Sequence, residues 1–297
     1  MKVSIIMSTY NGAQYLLEQL DSIRLQTVSP DQVIICDDKS TDNTPEIIEN
    51  YIKKYSLINW DFFVNEKNLG WKKNFIKLID ESDADLIFLS DQDDIWNKRK
   101  LEIMIPIMEN ENINVLVSDY EQKTKKLDVD YKCKNSFSIK PIDFNSKFMW
   151  INYPGCSYCI RKSYFNRIKK WWRDYLPHDA FLLRNSKLDG SLYHVNCNLI
   201  QHRMHGKNAG TPTKITQQKD DLSYYFDVLH LLSLRAREEN LSNKEYNVLN
   251  KANTWLEMRK TLYSSKSLFD FVKLARFINF YPHLKTYIKE IIIARAK

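Results

Sequence analysis

The first 120 residues alternate short apolar runs with amphipathic segments, and this alternation predicts strands separated by helices. Continuous apolar stretches at Val3–Met7, Val33–Cys36, Trp60–Val64, Leu86–Leu89 and Val115–Val117 read as strands. Helical spacing predicts helices near Ala13–Gln26, Thr44–Tyr55, Trp71–Ser82 and Lys98–Asn110. Such a succession makes a mainly parallel sheet covered by helices, with ligands bound at the carboxyl ends of the strands. Polar clusters fall at those ends: Ser8-Thr9-Tyr10-Asn11, Asp37-Asp38, Asn68-Leu69-Gly70 and Asp91–Asp94. From about 120 to 212 the pattern is less regular, and the apolar segments Phe148–Tyr153 and Ser157–Ile160 suggest a sheet extended through long loops. Beyond Thr211-Pro212-Thr213 helical spacing returns, including segments near Leu222–Arg237 and Ser242–Leu262, and a boundary is expected there.

The sharpest break follows Leu86-Ile87-Phe88-Leu89, where Asp91, Asp93 and Asp94 place three carboxylates within four residues. Carboxylates so close repel one another and lose hydration unless a cation or a donor neutralises them. A divalent metal holding a phosphate would do so. The same residues also suit an acidic turn that caps the next helix through Asp94 or Asn97. Neither GxGxxG nor GxxxxGK[ST] follows the first strand, and the chain has only six glycines. A glycine-rich phosphate cradle is therefore missing, which argues against a dehydrogenase or a P-loop enzyme and leaves side chains and metal to hold any nucleotide phosphates.

Composition narrows this further. At 297 residues and 43% hydrophobic content the chain has ample material for a core. Its N-terminus has no signal-peptide pattern and no apolar run reaches membrane-spanning length, so a cytoplasmic protein is expected. Five cysteines, an odd number, do not suggest a disulfide framework, and Cys156 and Cys159 lack the second pair that a structural zinc needs. The net charge of +7 is concentrated in residues 251–297, which hold ten Lys or Arg against three Asp or Glu. A neutral body argues against nucleic-acid binding. In the tail, Leu268, Phe271, Val272, Ala275 and Ile278, then Leu284, Tyr287, Ile288, Ile291 and Ile292, follow helical spacing among lysines and arginines on either side of Pro282. This suits helices lying on the anionic inner face of a membrane, while packing on the catalytic domain or a homodimer contact remain alternatives.

The set Val3–Gly12, Asp37-Asp38-Lys39-Ser40-Thr41-Asp42, Asn68-Leu69-Gly70 and Asp91-Gln92-Asp93-Asp94-Ile95-Trp96, in this order and spacing, resembles the motifs of family 2 glycosyltransferases over roughly residues 1–210. The resemblance implies a GT-A fold, a Rossmann-like αβα sandwich, in residues 1–212, with a nucleotide-binding half to about 120 and an acceptor-binding half over 121–212, ahead of a basic helical region at 213–297. It implies inverting, metal-dependent transfer from a nucleotide-sugar, with Mn or Mg as cofactor. Ser8, Tyr10, Asn11, Asp38 and Asn68 would then bind the nucleotide, with Asp38 accepting the imide N–H of uracil or thymine. Asp91 would lie near the ribose, Asp93 would hold the metal, and Asp94 would assist. Lys73 and Asn74 could reach the nucleotide or face solvent.

The resemblance further implies a general base about a hundred residues after the metal motif, where Asp179 follows His178, although both could equally start a helix. Arg203 would fork onto phosphate oxygens, His205 would donate to them or ligate the metal, and Gly155 would permit close approach of substrate. The wording Ser-Asp-Gln-Asp-Asp-Ile-Trp is most like bacterial rhamnosyltransferases of cell-surface polysaccharide synthesis. That implies a dTDP-L-rhamnose donor, with a UDP-sugar as alternative, and a saccharide acceptor that could be lipid-linked. Two other classes stay open. A sugar nucleotidyltransferase would show a basic, glycine-rich N-terminal loop, and Ser8–Gly12 has no Lys or Arg. A scaffold subunit would not need the carboxylates.

Overall fold

The structure, a computed structural model, describes residues 1–124, 127–128, 131–134, 136–205 and 217–295, with the side chains of 217–221 left out. The expected boundary after Pro212 and the residues Gly206 to Asn208 lie outside this set. The chain forms two compact units. The first comprises Met1–Ile142, Asn152–Ser186 and Ser191–His205, and the second Asp143–Ile151, Lys187–Gly190 and Gly206–Lys297.

The first unit is built on a sheet that has nine strands among the described residues: β1 (Val3–Thr9), β2 (Gln32–Asp37), β3 (Trp60–Val64), β4 (Leu86–Ser90), β5 (Ile95–Trp96), β6 (Val115–Lys123), β7 (Ile139–Pro141), β8 (Tyr158–Arg161) and β9 (Leu192–Arg203). The order is β3-β2-β1-β4-β8-β6-β9-β5, with β7 also on β9. Strands β1 to β4, β6 and β9 run one way, and β5, β7 and β8 run against them. The five strands expected from the apolar runs are all present. β1, β2 and β4 are buried almost throughout, which explains why they read as unbroken apolar runs.

Helices α1 (Leu16–Arg24), α2 (Thr44–Lys54), α3 (Trp71–Glu81), α4 (Lys100–Ile107), α5 (Lys162–Ile168) and α6 (His178–Leu188) accompany the sheet. α1 turns Leu16, Leu20 and Ile23 inward, and α3 does the same with Phe75, Leu78 and Ile79. α3 begins at Gly70, whose φ of 79° falls in the left-handed region that a side chain would disfavour. This turn brings the Asn68-Leu69-Gly70 segment back over the end of β2. α4 starts two residues later than expected, and neither Asp94 nor Asn97 is its N-cap, a place that Arg99 takes. Asn97 instead accepts the Arg99 N–H at 3.0 Å and donates to the Tyr131 carbonyl at 2.7 Å. β5 pairs with β9, so the acidic segment between β4 and β5 is anchored at both ends.

The second unit is helical: α7 (Gln217–Glu238), α8 (Asn243–Ser265), α9 (Leu268–Leu274) and α10 (Leu284–Arg295). Ser242 and Ser267 cap α8 and α9 through their side chains. Trp255 stacks on Phe280 at 5.4 Å, and Phe271 on Tyr287 at 4.6 Å. Two buried guanidiniums are paired: Arg259 lies 3.0 Å from Glu290, and Arg235 meets both Asp189 and, at 2.9 Å, Glu239. The tail helices thus pack one face inward while Leu268, Phe269, Val272, Leu284, Ile288 and Ile292 stay exposed on the other. Arg235→Met would remove the buried cation from Asp189 and Glu239, and urea unfolding should show a loss of about 3–5 kcal/mol.

Candidate active site

At the ends of β1 and β2, carboxylates close the loops. Asp37 is fully buried and accepts from Thr9 Oγ1 at 2.8 Å, Ser40 N at 2.7 Å and Ser40 Oγ at 2.6 Å. Asp38 accepts the backbone N–H of Leu69 and of Gly70, each at 2.7 Å, and Asn65 Nδ2 at 2.8 Å. The segment at 68–70 is therefore folded around the Asp38 carboxylate, and Oδ2 is left with a single donor, the Gly70 N–H. Asn74 is buried and binds Ser8 Oγ at 2.8 Å and the Cys36 carbonyl at 3.0 Å, so it ties the strand ends together and does not face solvent. Asn11, in the left-handed region, links to Ser40 and Thr41 at 2.8 Å each. Lys73 pairs with Asp174 and Asn68 accepts from Gly70 N, while the Tyr10 ring stands half exposed.

The acidic segment is held to this end by Gln92. Its amide accepts the Tyr10 N–H at 2.9 Å and donates to the Tyr10 carbonyl at 3.0 Å. A Cβ at residue 12 would stand 2.1 Å from Gln92 Oε1, so Gly12 is required for the clamp. Asp94 is fully buried; Oδ1 accepts the Arg203 N–H at 2.9 Å, Oδ2 has no N–H or O–H donor among the described residues, and the Cys156 thiol lies beside it. Burial raises its carboxyl to about 6, against the lowering effect of His202, with Asp93 adding to the rise. Asp91 is pushed well above the usual carboxylate range, by burial first and then by Asp94, Asp93 and Asp179. Asp93 Oδ2 lies 2.7 Å from His205 Nε2. His205 stacks on Tyr15, and Arg203 lies over the same ring while bonding the Asp93 carbonyl and Glu18.

Asp91, Asp94 and Cys156 place ligand atoms within 4.8 Å of one another. Mutually repelling carboxylate oxygens, one of them without an N–H or O–H donor among the described residues, fit a hard dication such as Mg or Mn. The thiol of Cys156 is held well above its ordinary value by burial and by the two aspartates, so it stays protonated and contributes little to such a site. Beneath the cluster, Lys100 is fully buried, donates to the Cys156 carbonyl at 2.6 Å and sits 3.3 Å from the Trp96 ring centroid. Burial lowers its amine to about 7 despite Asp94 and Asp91 nearby.

α6 brings His178 and Asp179 to the same region. Asp179 Oδ1 accepts the Ala180 N–H at 2.7 Å, and its charge is among those that raise Asp91. His178 is buried, with neither ring nitrogen hydrogen-bonded, stacked on Phe75 at 4.0 Å and edge-on to Trp71. Burial lowers it to about 4. A Cβ on Gly155 would meet His178 Nε2 at 2.7 Å. The expectation that Gly155 admits substrate is corrected accordingly: the space belongs to the imidazole.

Four participants escaped the sequence reading: Gln92, Gly12, Lys100 and Tyr15. The first two lie inside quoted motifs without a role, whereas Lys100 in Lys98-Arg99-Lys100 reads as a solvated helix start and gives no local sign of burial.

Two opposite pH effects follow. The unfolded chain protonates His178 near 6.5 and the folded one only near 4, so stability is lost as pH falls between these values. His178→Phe should melt higher than wild type at about pH 5, the difference shrinking toward about pH 7.5. Asp94 has the reverse sign, its cost growing as pH rises from about 4 to about 6. Asp94→Asn should therefore raise the melting midpoint in chelator at about pH 7.5, and wild-type levels in both variants would exclude these two groups as the source.

Comparison with known proteins agrees with this geometry. A dTDP-rhamnosyl transferase, RfbG of Shigella flexneri, is 36% identical over 190 residues, covering 59% of this chain and 63% of that protein. The match therefore spans less than two thirds of the relative. An uncharacterized glycosyltransferase of Nostoc sp. is 24% identical over 91% of this chain and 85% of its own. Among solved structures, S. aureus TarS 1-349 in complex with UDP-GlcNAc superposes with a TM-score of 0.66 at 17% identity, over 98% of this chain and 82% of that one. A mannosyltransferase from Pyrobaculum calidifontis with GDP-Man and Mn2+ gives 0.58 at 13% identity, over 99% and 85%. These share the GT-A fold. The model of glycosyl transferase family 2 matches residues 4–210, and the chain belongs to that family.

Proposed function

We propose that this enzyme transfers a sugar, with inversion and with the help of Mg or Mn, from a nucleotide-sugar to a growing cell-surface polysaccharide or a lipid-linked saccharide. The observation that carries the reading is the under-neutralised set of Asp91 and Asp94 within electrostatic reach of Asp179. Asp93, with Asp91 and Asp94 beside it, would hold the cation, and His205 orients the Asp93 carboxylate. The cation's contribution, when bound, is to neutralise the departing diphosphate. Asp38 Oδ2, which accepts a single N–H, would read the imide edge of the base, between Ser8 and Tyr10. Asp179 keeps one oxygen for the acceptor hydroxyl and takes its proton as the new glycosidic bond forms on the face opposite the leaving group. A thymidine donor, dTDP-L-rhamnose, is favoured by the likeness to RfbG, and a UDP-sugar by the TarS complex.

No described helix is long and apolar enough to cross a membrane. We place the enzyme at the inner membrane face as a peripheral protein, because Leu284, Ile288 and Ile292 recur at every fourth position on the exposed side of α10, flanked by Lys285 and Lys289. Ile288→Glu with Ile292→Glu should abolish co-sedimentation with phosphatidylglycerol vesicles; undiminished binding would refute this placement.

For the chemistry, Asp93→Asn should lose the metal-dependent thermal stabilisation given by dTDP or UDP. Asp179→Asn should retain that stabilisation while transfer falls by about 10²–10⁴. Normal transfer by Asp179→Asn would overturn the base assignment, and no response of the wild type to any nucleotide with metal would overturn the transferase mechanism proposed here.

A further inference from the structure

A second polar cluster of the first unit lies outside the residues discussed so far. His194 on β9 holds its Nε2 2.8 Å from Asp119 Oδ1 on β6, and both side chains are partly open to solvent, by 20% and 40%. An exposed pair of this kind adds little to stability, so stability alone does not account for it. The strands around it are irregular. β6 and β9 pair in register from Val115 to Ser118, slip between Ser118 and Asp119, and slip again between Asp119 and Glu121. Such bulges re-aim a side chain at the cost of ladder hydrogen bonds. The Tyr153 ring lies 5.4 Å from the His194 ring, tilted by 39°. Next to it, Tyr158 is wholly buried, yet its hydroxyl has no hydrogen-bond partner. Tyr158 also connects the cluster to the proposed base, since after burial the largest influences on its phenol are Asp179 and Tyr153.

We propose that Asp119, His194 and Tyr153 form a subsite for a pyranose ring of the acceptor saccharide beside Asp179; this rests on the transferase reading above. The carboxylate fixes one imidazole nitrogen, so the other is presented to a sugar hydroxyl in a fixed orientation. The partly exposed Tyr153 ring supplies the apolar face on which the C–H side of a pyranose packs, with its phenol as a further partner. Asp119 and His194 are positioning residues: they touch the acceptor away from the reacting hydroxyl, and the proton passes to Asp179.

Saturation-transfer NMR on the full chain, with methyl α-L-rhamnopyranoside and methyl N-acetyl-β-D-glucosaminide as probes, tests this. The wild type should show saturation transfer to at least one probe. Asp119→Asn and His194→Ala should weaken it about tenfold, as expected for a lost polar contact. Tyr153→Ala should do the same, while Tyr153→Phe, which keeps the ring, should largely restore binding. All four variants should keep the melting midpoint and the nucleotide response of the wild type. Silence of both probes on the wild type, or unchanged signals in the Ala and Asn variants, would overturn the subsite. Loss of the wild-type nucleotide response with probe binding intact would instead count against the transferase mechanism and leave the saccharide site standing.

Discussion

Everything at the carboxyl edge of this sheet turns on how each buried carboxylate is compensated. Asp37 and Asp38 sit at the end of β2 and between them take six hydrogen bonds, four of them from residues 40, 69 and 70. Both carboxylates fold loops around themselves, and Asp38 Oδ2 takes a single one of these bonds. Asp91 and Asp94 sit at the end of β4 and are under-compensated: their neighbours are each other, Asp93 and Asp179, and among the described residues Lys100, His202, the Cys156 thiol and one backbone N–H are set against them. The fold thus spends donors freely on one pair and sparingly on the other within a single sheet edge. The sparing compensation is what the metal-dependent reading proposed above rests on.

Much of this was legible in the chain. β1, β2 and β4 are buried almost throughout, so each is an apolar run, and each ends in the polar cluster that the topology later brings to one edge. What was not legible depended on distant partners. β9 alternates Val195, Cys197 and Leu199 with Asn196 and Asn198, but its polar ending disguised a strand whose place is set by β6, some seventy residues earlier in the chain. Lys100 looks like any helix-start lysine until Trp96 and the Cys156 carbonyl close over it. Gly155 could be recognised as a point of close approach, yet nothing near it in sequence says that His178 fills the space.

The tail presents a related ambiguity, resolved by face. α9 and α10 divide by face: Phe271, Leu274, Tyr287 and Ile293 serve the inner side, while Leu268, Phe269, Leu284, Ile288 and Ile292 remain outside. Helices this apolar on two sides need a core of their own, and Trp255, Phe280 and the Arg259–Glu290 pair provide it within the helical unit.

Gln92 has one more implication. Its amide spans from the acidic segment to both backbone groups of Tyr10, with Gly12 leaving no slack between them. The residues proposed to hold a cation and those proposed to flank a base are therefore tied through one hydrogen-bonded ring. Thermodynamic linkage then requires reciprocity: whatever a cation does to the affinity for a nucleoside, the nucleoside does in equal measure to the affinity for the cation.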